Sequence, residues 1–353
     1  MAESKLKVAA IQVAPVFMDR DATIARACER IAEAARAGAE LVVFPEAFVP
    51  GYPDWIWVAR PSQRKLLNDL YAHLVSQSVD VPSASVDRLR DAARDGGVTV
   101  VIGVNERNTE ASGASLYNTA LVIGPLGQLI GRHRKLVPTG PERMVWAQGD
   151  GSTLDVYDTP VGKLSTLICW ENYMPLARYA MAAWGARIHV AGTWDRGEPW
   201  ISTMRHVATE GRVFVISCCM ALRKRDIPAE LEFAMLYPDG REWINAGDSL
   251  VVNPAGQIIA GPLHEQEGIL YAELERNQMT GPRWMFDAAG HYARPDVFQL
   301  TVNRSPRPML REAGAKTSEA NTRDAVPMDS TPSRSRPRAV ARKAARTGRS
   351  KRR

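Results

Sequence analysis

Short apolar runs alternate along this chain with segments of helical period, and that alternation restricts the fold more than any other feature. Residues 6–13 form a strand-length apolar run. Residues 21–37 then carry Ile24, Cys28, Ile31 and Ala35 at helical spacing with Gly38 as a stop, and residues 41–44 return to strand. The order recurs. A charged helix near 85–94 precedes a strand at 98–104, a helix over 173–184 precedes 188–191, and a helix over 199–211 precedes 213–218. The chain therefore reads as α/β, with stacked layers of sheet and helix. Residues 121–130 and 250–259 agree at six of ten positions, and each sets Pro and then Gly between two β-rich runs, as a hairpin turn requires. A third turn, at 159–163, leads into residues 164–168.

With 353 residues, 45% hydrophobic and 24% charged, the chain can bury a large core and is neither disordered nor fibrous in composition. The net charge of +6 is misleading: the last twenty residues hold ten Lys or Arg and no acid, which leaves −4 for everything before them. A nucleic-acid-binding body is thereby disfavoured. From about residue 303 Pro, Ser, Thr, Arg and Ala dominate without apolar period, so residues 1–302 read as the folded domain and 303–353 as a disordered basic tail. A solvated or assembly appendage is preferred for that tail over an arm for nucleic acid or an anionic surface. No apolar run nears the ~18 residues of a membrane helix and no signal-peptide core opens the chain, so the expected location is cytoplasmic. Cys28, Cys169, Cys218 and Cys219 show no paired spacing, which argues against a disulfide scaffold or a zinc site.

The strongest local signal is Lys163-Leu-Ser-Thr-Leu-Ile-Cys-Trp-Glu-Asn172, a strand that ends in Cys169 and turns at once into a helix. Asn172 reads as the N-cap, and Leu176, Tyr179, Ala180 and Ala183 as the buried stripe. Such an elbow points a side chain out of the sheet, and a helix N-terminus beside it favours thiolate, the attacking form. The other three cysteines read as packing residues on a helix face or within a strand. A thiol nucleophile needs a base and a positive charge. None of the six histidines falls in a Cys-His pattern, which removes the main support for a cysteine protease. Glu46, after the strand at 41–44 and flanked by apolar and aromatic residues, is better placed as base, and Lys135 could supply the charge. No GxSxG, Walker or GxGxxG motif is present.

Pro45-Glu46, Arg134-Lys135-Leu136 and Ile168-Cys169-Trp170-Glu171 resemble, in order and spacing, the Glu-Lys-Cys motifs of the nitrilase superfamily of carbon-nitrogen hydrolases. Cys-Trp-Glu-Asn at 169–172 is similar to the true nitrilases, as are residues 48–53, 138–143, 149–152 and 290–296; Ala147 departs from a position where the family often has glycine. The resemblance covers residues 5–300. It implies a four-layer α-β-β-α sandwich that pairs into dimers and often into spiral homo-oligomers. It also implies Cys169 as nucleophile, Glu46 as general base, Lys135 as electrostatic stabiliser and Glu142 as a second glutamate, with no metal or organic cofactor. The implied reaction converts a small organic nitrile to the acid and ammonia, with a cyanide- or amide-hydrolysing relative as the alternative. Tyr52, Trp57, Trp170 and Trp194 are candidates to line the substrate pocket, and His291 and Arg294 to hold the C-terminal segment against the body.

Overall fold

The computed structural model describes residues 5–310. The first part of the chain runs β1 (Lys5–Gln12), α1 (Arg20–Arg36), β2 (Leu41–Val43), α2 (Trp55–Val58), α3 (Arg64–Gln77), α4 (Ala84–Gly96), β3 (Thr99–Arg107), β4 (Leu116–Ile123) and β5 (Leu129–Arg134). The second runs β6 (Val156–Thr159), β7 (Gly162–Thr166), α5 (Pro175–Ala183), β8 (Ile188–Thr193), α6 (Glu198–Gly211), β9 (Phe214–Cys219), β10 (Ala221–Arg223), β11 (Trp243–Val252), β12 (Ile258–His264) and β13 (Gly268–Glu275). Helix starts follow from their caps. Asp19 accepts the Ala22 amide at 2.9 Å ahead of α1, and Ser83 accepts that of Val86 ahead of α4, satisfying donors that a helix leaves free.

The strands form two mixed sheets, one ordered β13-β1-β2-β3-β4-β5 and the other β10-β11-β9-β8-β7-β6, with β12 paired to β11. Period-two alternation then sorts side chains into layers. In β1, Ala9 and Ile11 pack outward on α1 and α4 with Ile24, Ile31 and Leu89, whereas Leu6, Val8 and Ala10 point to the other face. There they meet Leu164, Ile188, Val190, Phe214 and Ile216 of the second sheet. Behind that sheet Leu167, Ala191 and Val215 pack on Ala180, Met181, Trp200 and Met204 of α5 and α6. The result is helices, sheet, sheet, helices: the four layers expected.

The two similar ten-residue segments fold alike. Gly124 donates to Gln128 O at 2.8 Å in the β4-β5 hairpin and Asn253 to Gln257 O at 2.9 Å in the β11-β12 hairpin, and both turns place a left-handed glycine, Gly127 or Gly256, at the same step.

Four expectations need correction. Leu176 and Tyr179 of α5 are exposed, while Ala177, Ala180 and Met181 face the core; the helix is apolar on two sides, and spacing alone does not say which side the sheet takes. Met174, not Asn172, is the N-cap of α5, because a 3-10 turn, Cys169–Tyr173, comes between strand and helix. Arg294 pairs with Asp296 inside its own segment and His291 packs on Tyr292, so neither holds that segment to the body. The chain also stays on the body beyond residue 302: Arg304 pairs with Asp155 at 2.6 Å and the Arg307 amide donates to Asp150 at 2.7 Å. The remainder of the basic tail lies outside the described residues.

Candidate active site

Glu46 hangs from the turn after β2. Phe44 extends the pairing with β3 by one bond, to Val101 O at 2.8 Å, and the chain then turns through Ala47 at φ +49°. This turn is gripped by both sheets. A methyl at Gly103 of β3 would lie 2.3 Å from Pro45 O and 2.4 Å from Ala47 N, and one at Gly192 of β8 would lie 3.1 Å from Glu46 N. Glycine at 103 is what lets the turn lie directly on the strand.

So held, the Glu46 carboxylate accepts Lys135 Nζ at 2.7 Å and Asn118 Nδ2 at 2.6 Å on one oxygen and the Trp194 amide at 2.8 Å on the other. Lys135 directly follows β5, its amide bonded to Asn118 O at 2.8 Å, so β4 fixes both the lysine backbone and the glutamate side chain. Its ammonium also donates to Glu142 at 2.7 Å. Glu142 sits in a 3-10 turn, Gly140–Met144, and accepts the Thr139 amide at 2.6 Å and Tyr52 OH at 2.7 Å. All three charged groups are at most 2% exposed.

Cys169 opens its 3-10 turn at φ +50°, a left-handed conformation that costs a residue with a Cβ about 1–2 kcal/mol. Its surroundings hold it there. Asn172 Nδ2 donates to Leu167 O and Cys169 O, both at 2.9 Å, and Asn172 Oδ1 meets His189 Nε2 at 2.7 Å. The side chain read as a cap thus ties off the carbonyls of the elbow instead. Thr193 at the end of β8 donates its hydroxyl to the buried Cys169 sulfur at 3.4 Å.

Two carboxylates share one ammonium in a dry setting, and the electrostatics follow. Burial pushes the Glu46 carboxyl up from an ordinary 4.5 to about 7; Lys135 opposes that rise and the Glu142 charge adds to it. Burial would lower Lys135, but the charges of Glu46 and Glu142 outweigh it and keep the ammonium charged far above neutrality. The cysteine departs from expectation. Burial first, then the charge of Glu46, raise the Cys169 thiol well above its ordinary value against the pull of Lys135, so it rests protonated. A single-turn 3-10 start is too weak a dipole to reverse that.

The structure thus brings together Glu46, Lys135, Glu142, Tyr52 and Trp194. Tyr52 and Trp194 are buried and stack in parallel at 4.4 Å, and through Tyr52 OH and the Trp194 amide they hold the two carboxylates. Trp57 donates to Tyr52 OH at 3.1 Å. Trp170 is set apart, half exposed and bonded to Asp195 at 2.7 Å. Sequence reading missed Asn118, Thr193 and Asp54, whose carboxylate receives the Trp194 ring N–H at 2.9 Å and the Tyr237 hydroxyl. For Asn118 a signal existed: an amide in the middle of an apolar strand.

Two buried carboxylates, an ammonium and a thiol, set where the ends of strands from two sheets meet, define a class of hydrolase. The carbon-nitrogen hydrolase family model matches residues 7–283, and the chain belongs to that family. It is 41% identical over 308 residues to Nitrilase 1 of Arabidopsis thaliana, spanning 86% of this chain and 88% of that one. To an aliphatic nitrilase of Sinorhizobium fredii it is 42% identical over 311 residues, 86% of this chain and 97% of the relative. Among solved structures, a branch 10 member of the nitrilase superfamily from Saccharomyces cerevisiae superposes with a TM-score of 0.61 at 24% identity, over 82% of this chain and 96% of that one; it shares the fold.

Proposed function

We propose that the protein is a nitrilase that converts an organic nitrile to the carboxylic acid and ammonia, with Cys169 as nucleophile, Glu46 as general base and Lys135 as the fixed positive charge. The observation that carries this reading is one buried ammonium 2.7 Å from each of two carboxylates, beside an elbow thiol, in a chain about 40% identical to nitrilases. Cys169 is protonated at rest, so Glu46 takes the thiol proton as sulfur attacks the nitrile carbon. The proton passes to the nitrile nitrogen, giving a thioimidate. Lys135, charged throughout, stabilises negative charge on that nitrogen. Water adds with Glu46 as base, and the C–N bond breaks with loss of ammonia. A second water cleaves the remaining thioester to the acid and restores the thiol. If the tetrahedral intermediate expels sulfur before nitrogen, an amide results. Glu142, held by Tyr52 and Thr139, orients the ammonium.

The test is ammonia and acid release from phenylacetonitrile, an aliphatic dinitrile, cyanide and a simple amide, with Cys169→Ala beside the parent. Release from an organic nitrile only with the thiol intact supports the reading. Turnover of the amide alone or of cyanide alone reassigns the substrate and keeps the site.

A second copy of the chain is the proposed partner for the exposed side of α5, where Leu176 (67% exposed) and Tyr179 face solvent beside Tyr292 and Phe298. Cytoplasmic location is proposed on the strength of four free cysteines, as a reducing compartment permits.

A further inference from the structure

We infer that Glu171 is a positioning residue that fastens the lysine of one sheet to the cysteine of the other, with His133 as its counter-charge. One Glu171 oxygen accepts the Leu136 amide at 2.6 Å and the other the Ile168 amide at 2.7 Å. Leu136 follows Lys135 and Ile168 precedes Cys169, so a single side chain bridges the neighbours of both reacting groups. The bridge spans the molecule: Leu136 continues from β5 of the first sheet, and Ile168 from β7 of the second. Glu171 is 1% exposed and needs a positive partner, since an unpaired carboxylate in such a place is costly. His133 Nε2 lies 2.9 Å from it, while Nδ1 faces Thr153 O at 3.3 Å. Both ring nitrogens face acceptors, so each carries a proton and the ring is an imidazolium. The glutamate of the Cys-Trp-Glu-Asn run and the histidine two residues before Lys135 therefore form one device, which no reading of either motif alone connects.

The inference rests on the proposed roles of Lys135 and Cys169, and the experiment separates the two. Glu171→Gln keeps the volume but turns an amide nitrogen toward one of the two backbone donors, so it breaks one arm of the bridge. A misplacement of about 1 Å costs on the order of 100-fold in rate, so kcat is expected to fall roughly that far with KM within about threefold of the parent. His133→Gln retains a neutral donor to the carboxylate and should keep more of the rate than His133→Leu, which has none. The second readout is alkylation of Cys169 by iodoacetamide against pH, located by mass spectrometry in the full chain. Moving the lysine away should shift that profile upward in Glu171→Gln, while Cys28, Cys218 and Cys219 react as in the parent. A kcat within threefold of the parent overturns the inference. So does a fall in kcat with an unchanged Cys169 profile, or with faster alkylation of all four thiols, the mark of general loosening. Lys135→Ala run alongside tests the underlying reading: full activity there removes the lysine from the mechanism whatever Glu171 does.

Discussion

Lys135 answers to two carboxylates at once, and that excess of negative charge sets the working range of the site. Glu46 accepts a proton only when ionised, and its carboxyl is pushed up to about 7 by burial and by Glu142. The sign follows: below about pH 7 the base is protonated, so kcat/KM should fall about tenfold per pH unit, and it should level off above. A pH-rate profile that stays flat down to pH 5 would dismiss Glu46 as the base. Cys169→Ala is expected to show no turnover. Glu46→Gln should lose about 100-fold or more, and Lys135→Ala a comparable factor, as read by ammonia release. The Glu171-His133 pair titrates in the opposite sense at its two ends. Burial would raise the Glu171 carboxyl, yet the His133 charge and two amides hold it below its ordinary 4.5. Burial would lower His133, yet Glu171 lifts it above 6.5. The carboxylate's contribution to stability is present above 4.5 and lost as pH falls through its lowered pKa. That of the imidazolium is present below 6.5 and lost as pH rises through its raised one. Melting curves of the parent against His133→Leu should therefore differ most within that interval and converge beyond either edge.

At the scale of elements, what was legible in the sequence was whatever has a local cause. Period-two and helical spacing gave β1, α1 and β2 to within a residue, and the Gly38 stop marked the end of α1. Helix α3 escaped although its signal is local: Leu66, Leu67, Leu70, Tyr71, Leu74 and Val75 recur at helical spacing and pack on one cluster. The inward face of α5 was unreadable because both faces are apolar. In the site, Glu46, Lys135 and Cys169 each sit in a recognisable run, whereas Asn118 acts on a glutamate 72 positions away and Asp54 on a tryptophan 140 positions away. No local pattern records such a partner. Gly103 gives the element-scale test. Gly103→Ala places a methyl against backbone atoms that cannot rotate aside, and such overpacking costs about 1–3 kcal/mol. Thermal denaturation should show that loss, with turnover falling further than stability since the displaced turn carries Glu46. Gly281→Ala, where a methyl meets nothing within 4 Å, is the matched control and should be near neutral.

For the whole molecule, the layered stack assigns faces to tasks. The inner faces of the two sheets make a dry seam from Leu6 to Phe214, and the outer helices seal each side. The outward side of α5 is left with Leu176 and Tyr179 uncovered. Leu176→Glu should shift the chain to a smaller species in size-exclusion chromatography coupled to light scattering; an unchanged mass would remove this face as a contact between copies.

The strand that completes the first sheet is the last strand among the described residues. β13 pairs with β1 along its whole length, from Lys5 opposite Glu275 to Gln12 opposite Gly268. During synthesis the first strand therefore waits, one edge bare, while more than 260 further residues are joined. Cys169 is joined long before that edge is covered and before the sheet bearing Glu46 and Lys135 is whole. A chain in which residues 268–275 are not yet joined therefore already has Cys169, while the sheet that carries Glu46 and Lys135 still lacks its edge strand.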